Sequence, residues 1–162
     1  MNSRNVLYAF SCLSFTAILG AAFYEHIAVW PAAFAEPPRS LSMFQGPYKL
    51  NAAAFWTSIH PVTLLLMAIT LIVSWKTTRR KNLLITMTGY VIILLATFVY
   101  FVPELLDLIG TPYQDTVDQS LQSRGSLWET LSLIRAGVLI VLAIVMFLGL
   151  TKGERVSGTK TA

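Results

Sequence analysis

Four apolar stretches dominate this 162-residue chain, each close to the roughly 20 residues that a helix needs to cross the hydrocarbon core of a membrane. They run from about Val6 to Trp30, Ala52 to Trp75, Leu83 to Val102 and Thr130 to Leu150. Hydrocarbon offers backbone groups no water, so a spanning segment must satisfy its own hydrogen bonds. The stretches therefore predict an all-α, polytopic membrane protein, an antiparallel four-transmembrane-helix bundle occupying residues 1–152. Composition agrees: 55% of residues are apolar and 12% charged, against about a quarter charged in soluble domains. A disordered chain is excluded, and an ordinary soluble globule is disfavoured. The first stretch is long for a signal peptide and has no small-residue cleavage site before a polar domain, so it reads as a retained span.

The bases set the orientation. Arg4, Lys76, Arg79, Arg80, Lys81, Lys152, Arg155 and Lys160 fall on one side; Arg39, Lys49 and Arg124 fall on the other, and Arg135 lies within the fourth stretch. The positive-inside rule puts both termini in the cytoplasm and makes the excess of bases a topology signal rather than a nucleic-acid surface. Trp30, Trp56 and Trp128 then mark the outer boundary and Trp75 the inner one. The inner loop is short, Lys76 to Asn82. The outer loops, 31–51 and 110–125, are longer; the first is broken by Pro37, Pro38, Gly46 and Pro47 and is expected to fold over the bundle. Thr116 to Gln119 fits a capped, short surface helix, and residues 153–162 read as a flexible cytoplasmic tail. The lone cysteine, Cys12, excludes an intrachain disulfide. A bacterial inner membrane is the expected location.

Ionisable residues inside a membrane are costly and mark function by default. Here they gather in the outer halves of the spans: Glu25 and His26 on the first, His60 on the second, Glu104 closing the third, and Glu129 and Arg135 on the fourth. Helical spacing aligns Ser14, Ala17, Ala21 and Glu25; Thr97, Tyr100 and Glu104; Trp128, Ser132 and Arg135; and Trp56 with His60. Four polar faces at one depth predict a polar pocket in the outer half of the bundle. Each residue also has a structural reading. Glu129 fits a capping box with Ser126, and Glu104 fits headgroup water. His26 points about 100° away from Glu25 and fits the solvated interface. His60, before Pro61, fits a ring that satisfies a carbonyl freed by the proline. Arg135 needs a partner, and Glu25 or Glu104 would give it a salt bridge.

Glu25, His26, His60 and Glu104 also supply nitrogen and oxygen donors suited to a transition metal. No helix carries the Glu-x-x-His pair of soluble di-iron bundles. Bis-histidine haem ligation by His26 and His60 is the less favoured cofactor, since it needs both rings inward at equal depth.

Three stretches together resemble a known family. They are Gly20-Ala-Ala-Phe23 leading to Val29-Trp-Pro31, with Met43-Phe-Gln45, Asn51 and Phe55; Thr97-Phe-Val-Tyr-Phe-Val-Pro103; and Trp128 with Arg135 seven residues on. The pattern is similar to that of a four-helix integral membrane family, largely of unknown function, that includes the anthrone oxygenases of polyketide pathways. The similarity extends over most of the chain, through short motifs. It marks Asn51, Pro103, Trp128 and Arg135 as family-like, whereas Glu104 stands where an Asn is often found. It implies an oxidoreductase that removes an acidic C–H proton and lets the anion react with dioxygen. His60 would serve as base, Arg135 would hold the oxyanion, and Glu104 would complete the catalytic set. Asn51, Trp56, Tyr100 and Trp128 would line the site for a hydrophobic aromatic or lipid-like small molecule. Two other readings stand beside it. One is a non-enzymatic metal-, lipid- or small-molecule-binding or transport module, which copies of the chain assembled as a homo-oligomer would complete. The other is a structural membrane subunit whose polar cluster is a salt-bridge network.

Overall fold

A computed structural model describes residues 3–152; the expected C-terminal tail lies outside the described residues. Four long helices, α1 (Ser3–Ala33), α2 (Ala52–Val73), α3 (Arg80–Ile109) and α4 (Gln119–Leu150), are each long and apolar enough to cross a membrane. Among the described residues there is no β-strand. The chain is a multi-pass integral membrane protein, with α1 packed between α2 and α4, and α3 closing the ring against the same two helices.

The helices overrun the apolar stretches. α4 begins at Gln119, eleven residues before the stretch at Thr130, because Asp118 caps it: Oδ1 accepts from the backbone N–H groups of Ser120 at 2.8 Å and Leu121 at 3.2 Å. The Ser120 hydroxyl, followed by these two amides, holds the Asp118 carboxyl below the ordinary carboxylate range. Two expectations are corrected here. Thr116–Gln119 is the lead-in to α4 rather than a separate surface helix, and Ser126 and Glu129 lie inside α4 rather than in a capping box.

Two helices contain a wider, π-type turn. In Glu25–Val29 the turn closes with the Trp30 N–H donating to Glu25 O; in Thr97–Phe101 it closes with the Val102 N–H donating to Thr97 O. A proline follows each after one intervening residue, Pro31 after Trp30 and Pro103 after Val102. Proline lacks an N–H and crowds the carbonyl four residues back, and the wider turn accommodates both defects. Pro61 interrupts α2 without a π turn.

Lipid supplies no hydrophobic force between helices, so packing and interhelical hydrogen bonds hold the bundle. Near the termini and through mid-bundle, Tyr8, Phe15 and Ile18 of α1, Met67 of α2, Leu83 and Tyr90 of α3 and Met146 of α4 form one core. Ser11 and Ser14 pair with Thr70 and Thr63 at 2.7 and 2.5 Å, joining α1 to α2. Asn82 Nδ2 donates to Val145 O at 2.6 Å and Tyr8 Oη to Met146 O at 2.8 Å, tying α3 and α1 to α4. Asn5, Arg79 and Lys152 meet at this end, so both described ends of the chain lie together beside the loop 74–79.

At the opposite end, the loop after α1 folds inward as expected. Its 3₁₀ turn, Arg39–Phe44, buries Leu41 and Phe44 against Trp30, Phe34, Phe101, Leu108 and Trp128. Asp118 N donates to Pro37 O at 2.8 Å, and Gln45 Nε2 to Thr111 O at 2.8 Å, so the two loops brace each other. Gly46, at φ +78°, supplies the left-handed turn that sends the chain toward α2. This second core draws on α1, the loop, α3 and α4, and on no residue of α2.

Candidate functional site

Between the two cores, four helices contribute side chains to a half-buried polar cluster. From α1, Glu25 opens the first π turn and accepts from Trp56 Nε1 of α2 at 2.8 Å. Trp56 stacks on His60 one turn along, with ring centres 5.4 Å apart and planes 22° from parallel. His60 Nδ1 is 2.6 Å from the Tyr90 hydroxyl of α3. Either atom donates, depending on the imidazole tautomer. From α4, Arg135 donates from Nη1 to Thr97 Oγ1 at 3.0 Å and from Nη2 to Ser132 Oγ at 2.8 Å. Its guanidinium carbon lies 4.1 Å from the centre of the Phe101 ring, in cation–π contact. The charge of Arg135 acts through space on both Glu25 and His60.

The two π turns build much of this arrangement. Glu25 opens one and Thr97 the other, and Phe101 ends the second. Behind it, Trp128 Nε1 donates to Phe101 O at 2.9 Å from within the aromatic core of Trp30, Phe34 and Phe101. Trp128 therefore fixes the backbone under Arg135, its ring packed in the aromatic core and its N–H spent on Phe101 O.

Several expectations change. Arg135 has no carboxylate within 4.0 Å among the described residues. Glu104 is held away from it because the early start of α4 brings Arg124 alongside α3, where Nε meets Glu104 Oε1 at 2.8 Å and Nη2 meets Asp107 Oδ2 at 2.7 Å. Glu104 thus belongs to a surface ion-pair triad rather than to the cluster. Tyr100 is exposed, because the π turn gives the inward position to Phe101. Asn51 precedes α2, exposed and without a side-chain cap, away from the cluster. His60 bonds Tyr90 rather than a carbonyl freed by Pro61.

His26 is buried, not solvated. α1 packs against both α2 and α4, so its buried arc is wide enough for Glu25 and His26 to face different neighbours. Nδ1 of His26 donates to Ala22 O at 2.7 Å, leaving Nε2 buried without a hydrogen-bond partner; Trp30 Nε1 is likewise unbonded. Glu25, His26, His60 and Glu104 do not converge as a metal site. Among the described residues, no three His, Cys, Asp or Glu side chains come close enough to hold an ion.

Tyr90 is the residue that pattern reading missed. Its signal is position: a tyrosine in mid-span, away from the interface that aromatic residues favour, needs an internal partner for its hydroxyl. In comparisons with known proteins, no family model, curated protein or solved structure matches the chain.

Proposed function

We propose that the protein is a small membrane oxidoreductase that uses His60 as a general base on a hydrophobic, carbonyl-bearing aromatic molecule, with dioxygen as the oxidant. The observation that carries this reading is the posture of His60, stacked on Trp56 and anchored through Nδ1 to Tyr90, with the Arg135 charge in reach. When Nδ1–H donates to Tyr90, Nε2 presents a lone pair, the atom that takes the proton in general-base catalysis. The similarity to the anthrone-oxygenase family supplies the reaction type. The basic end faces the cytoplasm by the positive-inside rule, which puts the cluster toward the outer leaflet.

The sequence of events conserves atoms and electrons. His60 removes a proton from a CH₂ flanked by aromatic rings conjugated to a carbonyl, and Arg135 balances the enolate oxygen. The carbanion transfers electrons to dioxygen and forms a C–O bond, and the imidazolium protonates the distal oxygen to give a hydroperoxide. Loss of the second C–H proton to His60 breaks the O–O bond, leaving C=O and hydroxide, which the imidazolium converts to water. One dioxygen is consumed and one water released for each CH₂ converted to a carbonyl.

The test is oxygen uptake by detergent-purified protein with anthrone. His60→Ala is expected to slow uptake by about 100-fold or more, the scale of general-base removal, while Phe98→Ala on the exposed face leaves it unchanged. Uptake by His60→Ala at the parental rate overturns the assignment.

A further inference from the structure

Arg135 has more hydrogen-bonding capacity than the protein uses. A guanidinium presents five N–H donors in a rigid fork. Here only Nη1 and Nη2 donate, each once and to a neutral hydroxyl, while Phe101 covers one face. No carboxylate touches it: Glu25, which acts on it through space, accepts from Trp56, and Glu104 and Asp107 pair with Arg124. Thr97 and Ser132 orient the cation without neutralising it, and a cation at this depth is costly without an anion in contact.

We propose that Arg135 is the receptor for an oxyanion on an apolar body, the carboxylate or ionised hydroxyl of a hydrophobic molecule that enters sideways from the bilayer. This rests on the reading of the cluster as a substrate site and adds the charge state of what binds there. Depth selects the ligand. Arg135 lies five residues, about 8 Å, inside the apolar stretch that opens at Thr130. A phospholipid phosphate belongs to the headgroup layer, whereas a fatty carboxylate or an aromatic enolate can follow its own apolar body inward. The route is the α2 side. The buried residues of α2 (Thr63, Met67, Thr70 and Leu71) all follow Pro61, and the second core contains nothing from α2. From Ala52 to His60 no residue of α2 is fully buried, and Trp56 and His60 each hold to a neighbouring helix by one hydrogen bond.

The charged and titratable groups around the guanidinium are Glu25 of α1, His60 of α2 and Tyr90 of α3, the last bonded to His60. An anion at Arg135 must compete with the Glu25 charge. Neutralising Glu25 should therefore tighten anion binding, the opposite of the effect expected if Glu25 and Arg135 form only a structural pair.

The experiment titrates full-length protein in a non-ionic detergent, under nitrogen, with brominated quenchers of tryptophan fluorescence. Trp56 lies in the cluster and Trp30 and Trp128 beside it. ω-Bromoundecanoate is compared with its methyl ester, and pentabromophenolate with its methyl ether. Saturable quenching by either anion, at least tenfold tighter than by its neutral analogue, is expected. That advantage should vanish in Arg135→Gln, persist in part in Arg135→Lys and grow at least threefold in Glu25→Gln. Preference for the carboxylate identifies a fatty-acid-like ligand, and preference for the phenolate an aromatic one. Equal quenching by anion and neutral analogue in the parent overturns the proposal, as does an undiminished advantage in Arg135→Gln or a weaker one in Glu25→Gln. Should Arg135→Gln fail to fold, the parent and Glu25→Gln arms still decide. Anion binding without anthrone-dependent oxygen uptake keeps the receptor and removes the oxygenase reading; uptake without anion preference does the reverse.

Discussion

Arg79, in the loop before α3, and Arg135, within α4, are both arginines largely shielded by the protein, and their surroundings differ in kind. Arg79 is 5% exposed and spends its donors on the chain itself: Nε on Lys152 O at 2.9 Å, Nη2 on Leu150 O at 3.4 Å and Nη1 on Asn5 Oδ1 at 2.5 Å. Two of those acceptors are carbonyls at the C-terminal end of α4, which have no intrahelical partner and carry the negative end of the helix dipole. The Tyr8 ring, 5.7 Å from the guanidinium carbon, closes the pocket. Arg135 sits mid-helix, where carbonyls are already taken, and meets only hydroxyls and an aromatic face. A buried arginine that ends on orphaned backbone groups is a structural staple. One held by neutral groups, with donors to spare, is poised toward something that is not part of the fold.

That contrast can be broken most directly by stability. Arg79→Met should cost about 3 kcal/mol, because charge-assisted bonds disappear and several acceptors are left buried. Arg135→Gln should change stability by less than about 1 kcal/mol, because the lost contacts are offset by relief of a desolvated charge. Thermal unfolding of the two variants in detergent measures both, and equal losses would erase the distinction. Gly149 sharpens the staple end of the comparison. A Cβ there would collide with Tyr8 Oη, so Gly149→Ala should cost about 2 kcal/mol through overpacking. Gly137, with open space around it on the same helix, is the control: Gly137→Ala should be neutral or stabilise by up to about 1 kcal/mol.

At the other end, Tyr90→Phe removes the anchor of His60. Its stability cost should be about 1 kcal/mol, with a larger fractional loss of anthrone-dependent oxygen uptake. Unchanged uptake would separate Tyr90 from the posture of the base. The smallest effect concerns the cap of α4. Because the Asp118 carboxyl is held below its ordinary value in the folded chain, its contribution is complete above the unfolded pKa and fades as pH falls through the lower folded one. Amide-exchange protection at Ser120 and Leu121, taken relative to the intrinsic rate at each pH, should therefore fall on acidification below the ordinary carboxylate range, and Asp118→Asn should remove that change in protection.

The four spans are legible in the sequence because membrane depth is counted in residues and hydrocarbon permits few backbone solutions. The approach of Glu25, Trp56, His60 and Arg135 is legible for the same reason, since depth and helical period together fix which faces can meet. The pairings are not. Whether Glu104 meets Arg135 or Arg124 depends on where α4 begins, and Asp118 decides that twelve residues before the apolar pattern does. Helical period misplaces Tyr100 because a π turn does not keep the 3.6-residue repeat on which face assignments rest. Counting Arg79 among the bases of one end says nothing of the carbonyls it meets.

The two π turns divide α1 and α3 into segments with different angular phases. On the near side of each turn, side chains index to the core of Tyr8, Phe15 and Tyr90; beyond it, they index to the aromatic core under the loops. Each turn acts as a phase adjuster. Deleting one residue within Thr97–Phe101 would return α3 to a single phase and swing the far segment about the helix axis, presenting a different set of side chains to Arg135 while leaving Asn82, Thr86 and Tyr90 in place. Single-residue steps of length at the turns therefore vary what surrounds the polar cluster while the core of Tyr8, Phe15 and Tyr90 stays packed, at the expense of the aromatic core under the loops.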